Sequence, residues 1–561
     1  MANPIKTERS AGASLRAAII LNAVFLMLTV VFVRVGFESN DDLALAAFVD
    51  GQMARSTPYI PYINIVLGWL LKLVYDVLGR DAAWHTYCQY ALLFSGLSAL
   101  CFAVCERVGV RRGLMVGTVL LLFFGVDVYC LINYTKTAAV CTVGGMALLL
   151  TAAEREGRRA SLLVPGLLLA VFGFMLRSME FLPCFAITAA LALRPLWDIL
   201  ADKGGAKIRR VLRLALPSVL VLAISAGLYA VNEWAWSKEP WSVYHEFDKI
   251  RVDYSDYGRP AYQDMPDAYD ALGLSAADVQ LLADGDYFDP ETFSGEVMAA
   301  ITVARDERFP HPSVGECVGL FLDKALPGFF AELPVYGLLL MLLLWLAAGE
   351  HRLKDLLSFA LAAALFGLAY FYLIYRGRYL VARVDLGLLL ALTAAPALTL
   401  NRGKLKDERM LSLAVLLLAF AASYFLTRGS FRSVEVEDKS EVRAAYEELL
   451  KDDKHVYLAK LDAVTDGLWS PFEPVPAGYW DRIVLLGGFD CLHPAIMDNL
   501  ALYGVTNPYR DCVGNDKVYL IEDNIGLTIR YIREHYDPRA RAALIQPLSR
   551  NTGMSIYRIV K

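Results

Sequence analysis

The length of its apolar runs restricts most what this chain can fold into. Stretch after stretch is uncharged for about 20 residues, the length an α-helix needs to cross roughly 30 Å of hydrocarbon. The whole chain of 561 residues is 57% hydrophobic and 20% charged, with mean hydropathy +0.42. Soluble domains run at roughly 45–50% apolar and about 25% charged. The fold class expected is therefore an α-helical polytopic membrane protein. Eleven spans are expected, near 15–36, 84–105, 113–131, 134–152, 161–177, 181–199, 213–231, 334–348, 355–375, 384–400 and 410–427. The N-terminus is basic and then apolar, with no small-residue cleavage site, so it is read as a retained first helix.

Charge orients these spans. The short basic segments 107–112, 154–159, 203–213, 350–354 and 401–409 fall on one side, together with Lys6, Arg9 and Arg16. By the positive-inside rule that side is the cytoplasm, which places the N-terminus inside and the C-terminal region outside a cell membrane. The segment 61–79, "PYINIVLGWLLKLVYDVLG", is apolar enough to pass for a span, yet as a span it would invert every later basic loop. Lys72, Tyr75 and Asp76 interrupt it, and Trp69 suits an interfacial helix. Residues 37–83 are thus expected to be one external loop with two surface-lying helices.

Two larger external pieces are expected beside that loop. Residues 232–333 carry twenty Asp and Glu against seven Lys and Arg, the mark of a solvated face. Residues 430–561 lose the long apolar runs, and strand-like stretches ("HVYLAKL", "DRIVLLGG", "KVYLIED", "MSIYRIV") alternate with helical ones. Two domains follow: a transmembrane domain, 1–429, and a small external α/β domain, 430–561. Cys491 and Cys512 could pair there in an oxidising compartment. "DPET" (289–292) is read as a helix start rather than part of a calcium loop, since the glycine and terminal glutamate of an EF-hand are missing. The overall charge of −5 and the lack of a basic domain speak against nucleic acid as a partner. No CxxC, Walker A, GxSxG or HExxH occurs, and no metal site is assigned.

Charges at membrane depth are costly and tend to mark function. Here they gather at external turns. Tyr134 and Lys136 lie between the third and fourth spans, Arg177 and Glu180 between the fifth and sixth, and Arg376, Arg378 and Arg383 between the ninth and tenth. Arginines on a short external loop run against the usual charge bias, and a guanidinium fork grips phosphate oxygens. Apolar walls beside such a ring fit a lipid-linked phosphate. On the same face, "SNDD" puts Asp41 and Asp42 at the exit of the first span. One carboxylate there could deprotonate an acceptor hydroxyl, while the other caps the following helix or ligates a metal.

At these residues the chain resembles the GT-C membrane glycosyltransferases, the superfamily of protein O-mannosyltransferases and aminoarabinose transferases. The likeness lies in a first span, the acidic pair in "SNDD", and two surface helices, 41–56 and 61–79, before the second span. The resemblance implies inverting transfer of a sugar from a polyprenyl-phosphate carrier to a cell-envelope glycan, lipid or protein. It maps the catalytic aspartate onto Asp41 or Asp42. Lys136, Arg177, Arg376 and Arg378, with Tyr134, Glu180 and Arg383 beside them, are assigned to the carrier phosphate from topology. Some members use a divalent cation, magnesium or manganese, and others none; an acidic pair does not decide between them. A flippase for a lipid-linked glycan, or a polysaccharide polymerase or ligase, is the rival reading.

Overall fold

The structure, a computed structural model, describes residues 4–400, 440–460, 468–548 and 553–561, apart from 34, 40, 54, 155–158, 204 and 348–351. Among them, eight helices are long and apolar enough to cross a membrane, from Gly12–Phe32 to Ala382–Thr399. The expected eleven spans are met differently. The stretch at 161–177 is a shorter apolar helix, Ala160–Leu176, and the one at 334–348 is one arm of a pair, Val314–Phe329 and Leu333–Ala347, bent by 90°. The expected span 410–427 lies outside the described residues.

The bundle packs through small residues. A Cβ on Gly144 would overlap the Gly96 carbonyl, and one on Gly96 would press on Val140 at 2.7 Å, so the helices Trp84–Val108 and Tyr134–Glu154 touch backbone to backbone. Lipid gives no hydrophobic drive for helix pairing, and such close approach supplies dispersion contact instead.

Between the first two long helices the chain forms two short ones, Asp41–Asp50 and Ile65–Leu78. The second is too short to span at 1.5 Å per residue. One of its faces (Ile65, Gly68, Leu71, Tyr75) is buried, while Trp69, Leu70, Leu73 and Val77 stand open. A helix apolar on both faces with protein on only one of them suits the membrane interface. Asn64 fixes its start: its carboxamide accepts from Val66 N at 3.0 Å and donates to Leu228 O at 3.0 Å.

The acidic stretch 232–333 forms the helices Trp241–Asp256, Pro266–Ala271, Ala276–Asp284 and Gly295–Arg308. Its last part departs from the solvated loop expected: Val314, Val318, Leu322 and Leu326 form an exposed apolar stripe on the first arm of the bent pair. "DPET" is a turn, and the helix starts later, at Gly295 with Ser294 as its cap. The Asp289 carboxylate accepts locally from Glu291 N and Thr292 N, and also from Asn507 Nδ2, Tyr531 Oη and Tyr536 Oη, long-range bonds that no local pattern announces.

A short parallel pair joins β1 (Gly36–Phe37) to β2 (Leu131–Ile132). The C-terminal region builds a five-stranded sheet from β3 (Val456–Ala459), β4 (Ile483–Leu485), β5 (Val518–Glu522), β6 (Arg541–Pro547) and β7 (Ser555–Val560). Their order is β4-β3-β5-β7-β6, with β4, β3 and β5 parallel and β7 antiparallel to both neighbours. Cys491 and Cys512, whose pairing the sequence leaves open, are separate buried thiols. All three extramembrane pieces interlock. Phe288 N donates to Leu486 O at 2.9 Å, Tyr244 Oη to Phe489 O at 2.8 Å, and Gln52 Nε2 to Val475 O at 2.8 Å.

Candidate active site

Where the three pieces meet the helix ends, they enclose a cavity of about 220 Å³. Asp41, Tyr134, Arg177, Arg378 and Arg383 all line it, so five residues from four distant parts of the sequence converge. Asp42 does not. The two carboxylates follow each other on one helical turn, about 100° apart, so they cannot share a direction.

Asp42 points into the bundle and is fully buried. It accepts from Gln89 Nε2 at 2.7 Å, Asn133 Nδ2 at 3.0 Å and Tyr134 N at 3.1 Å. Both amides are fixed in that sense, because Gln89 Oε1 accepts from Thr137 and Asn133 Oδ1 from Thr135 N. Burial pushes the Asp42 carboxyl up to about 8, with the Gln89 and Tyr134 bonds pulling the other way. Asp42 thus caps the helix Tyr134–Glu154 and ties it to the helix Asp41–Asp50, leaving Asp41 facing the cavity.

The cations divide likewise. Lys136 is not at the cavity: its ammonium is buried between Glu38, at 2.7 Å, and Asp127. The β1–β2 pair brings Glu38 there, with Glu38 N bonded to Ile132 O. Glu180 is buried in the bundle, where it accepts from Cys184 Sγ at 3.4 Å. Arg376 lines a neighbouring cavity of about 350 Å³, paired with Asp253 at 2.6 Å and lying 4.0 Å over the Tyr257 ring. Arg378 is paired with Asp256. Arg177 and Arg383 have no carboxylate within ion-pair distance among the described residues.

Several lining residues were not singled out from the sequence. Tyr62 holds a left-handed backbone, φ +64, which a bulky residue adopts only when its surroundings force it. Arg177 lies 4.6 Å over its ring, Tyr134 stacks beside it at 6.4 Å, and its hydroxyl accepts from Arg251 Nη2 at 2.6 Å. Arg251 is in turn neutralised by Asp248 at 2.6 Å. The quadrupole of an aromatic face attracts a cation without cancelling its charge, so Tyr62 and Tyr134 orient Arg177 and leave it available to an anion. Asp490 and Trp480, from the C-terminal region, complete the wall.

Away from this cavity, Asp278, Glu534 and His535 bring possible metal-ligating atoms within 4.8 Å of one another. Glu534 already accepts from Ser275 Oγ and Arg530 Nε, and the Asp278 carboxylate from Ser275 N. Their geometry is accounted for by a helix cap.

No family model matches the chain, and no curated protein sequence matches it. Two solved structures do. The chain is similar to ArnT from Cupriavidus metallidurans bound to undecaprenyl phosphate, at 10% identity over 96% of this chain and 97% of that one, with a TM-score of 0.38. It is similar to the same protein in the apo state at 11% identity, over 96% of each chain, also with a TM-score of 0.38.

Proposed function

We propose that this protein is a membrane glycosyltransferase moving a sugar from a polyprenyl-phosphate carrier to an acceptor hydroxyl. One observation carries the reading: a single cavity at the ends of the membrane helices brings the Asp41 carboxylate together with Arg177 and Arg383, guanidinium groups without carboxylate partners among the described residues. A partly desolvated guanidinium bonds phosphate oxygens strongly, and two of them facing a small cavity call for an anionic ligand.

In the proposed step Asp41 takes the proton of the acceptor hydroxyl. The acceptor oxygen attacks the anomeric carbon from the face opposite the phosphate. The bond from that carbon to the phosphate oxygen breaks, and the carrier leaves as its phosphate with the configuration inverted. Arg177 and Arg383 offset the charge that develops on the leaving oxygen, the term that usually contributes most to such catalysis. Arg378, tied to Asp256, holds the rim. The basic loops assign the N-terminus to the cytoplasm and the cavity, with the C-terminal domain, to the outer face.

Binding of bare undecaprenyl phosphate to the protein in nanodiscs tests the cavity. Arg177→Gln is expected to weaken it by about tenfold to a hundredfold, the range for losing a charge-assisted contact. Asp41→Asn should leave that binding intact and abolish transfer of label from charged carrier to envelope glycan. Full transfer by Asp41→Asn would refute the assignment.

A further inference from the structure

The Asp490 carboxylate has no part in the step just described, yet it is fitted into the same cavity from outside the membrane domain. It sits in the loop "LGGFD" that leaves the carboxyl end of β4, the edge of parallel strands at which α/β sheets commonly bind ligands. Neighbouring groups hold the loop rigidly. Phe288 N bonds Leu486 O at 2.9 Å, Tyr287 Oη bonds Gly488 O at 3.4 Å, and Tyr244 Oη bonds Phe489 O at 2.8 Å. Gly487 lies so close to the Gly285 carbonyl that a Cβ would overlap it, and Gly488 adopts φ +77. The backbone oxygens of Leu486, Gly488 and Phe489 are thereby occupied, and the loop offers the side chain of Asp490 to the cavity.

That side chain is 2% exposed, and its Oδ1 has no hydrogen-bond partner among the described residues. A buried carboxylate oxygen left unbonded is costly, which suits a place where a ligand satisfies it. As a carboxylate Asp490 is repelled by Asp41 and would repel an anion, so a neutral polar group suits it better than a phosphate oxygen. Burial pushes the carboxyl up to about 7, with Arg251 pulling the other way, so both protonation states are accessible near neutrality. A hydroxyl, at once donor and acceptor, bonds either state. Phe489 stands edge-on to Tyr62 at 5.8 Å, which adds an apolar wall beside the carboxylate.

We infer that Asp490 is a sugar-binding residue of this cavity, accepting or sharing the hydroxyls of a glycosyl ring, on the donor or on the acceptor, while the arginines hold the phosphate. This rests on the glycosyl-transfer reading and goes further, because it gives the C-terminal domain the task of choosing the sugar. The geometry divides the site in two: an anion half made by the membrane helices, and a hydroxyl half supplied by the loop after β4.

Three ligands separate these halves in full-length protein: bare undecaprenyl phosphate, the same carrier charged in turn with glucose, mannose, galactose or arabinose, and the free monosaccharides observed by saturation-transfer NMR. Asp490→Ala is expected to bind the bare carrier within twofold of wild type. It should lose at least tenfold for the charged carrier that wild type prefers, or lose the free-sugar signal. Loss for the charged carrier alone places the donor ring on Asp490, and loss for the free sugar alone places the acceptor ring there. Asp490→Asn, which keeps one acceptor oxygen and the shape, should fall between, and an unchanged unfolding midpoint guards against a folding defect. Equal affinities of wild type and both variants for every sugar ligand would overturn the inference, as would a loss for bare carrier as large as for charged. Failure of wild type to bind bare carrier, with free sugars still bound through Asp490, would instead defeat the phosphate site.

Discussion

Adjacent residues in the chain can face opposite tasks, and Asp41 and Asp42 do. The buried one receives three donors locked in place, so Asp42→Asn keeps one accepting oxygen but must turn its NH2 toward at least one of them and leave it unsatisfied. A loss of about 1–3 kcal/mol is expected, read as a lowered unfolding midpoint together with lost activity. Asp41→Asn should lose turnover with that midpoint unchanged. Thermal unfolding of both variants in nanodiscs separates capping from catalysis. Tyr62→Ala removes the plate under Arg177, and at about 1 kcal/mol for such a contact the affinity for bare carrier should fall by about threefold to tenfold. The acidic pair was legible in the sequence as a pair, while the choice between its members was not, since it depends on Gln89 and Asn133 arriving from other helices. Lys136 illustrates the same limit: its place at an external turn suggested the cavity, but Glu38 and Asp127 hold it inside.

Elements were easier to read than residues wherever a period or a long apolar run marks them. The span-length helices follow from hydropathy, and β3, β4, β5 and β7 follow from short runs of β-branched and aromatic residues. The edge strand β6 escaped notice because most of it is exposed and its sequence, "RAALIQP", carries no alternation of buried and open positions. The 90° bend between Val314–Phe329 and Leu333–Ala347 was also out of reach, since an apolar run shows its length but not where its axis turns. The surface helix Ile65–Leu78 was identified because a span there would have inverted the charge of every later loop. Its seat can be tested. A Cβ on Gly68 would overlap the Pro58 carbonyl, a backbone atom with little room to yield. Gly68→Ala is therefore expected to cost about 1–3 kcal/mol of stability and to disturb Tyr62, six residues earlier, lowering carrier affinity as well.

Across the whole molecule, the meeting of the three extramembrane pieces was not visible in the sequence, because bonds such as Phe288 to Leu486 and Tyr244 to Phe489 join segments roughly two hundred residues apart. These pieces also store buried acid. Glu522, whose two oxygens both accept from Thr528 Oγ1, is pushed up to about 8 by burial. In the unfolded chain its pKa is about 4.3. Between those values the folded state holds a proton that the unfolded state has released, so the stability this group contributes is full below about pH 4.3 and is lost as the pH rises toward 8. The unfolding midpoint should drop between pH 5 and 8, and Glu522→Gln, which carries no ionisable proton, should flatten that drop. A midpoint of the variant that follows wild type at every pH would show that the proton resides elsewhere.

The loop after β4 has one more implication, for the order of events in biosynthesis. Trp480, Leu485 and the residues up to Asp490 wall a cavity whose other residues are translated earlier. A chain truncated before residue 480 lacks that wall, so on the proposed reading it carries no finished site. On that reading competence waits on residues 480–490, and a product terminated before them would be inert rather than wasteful.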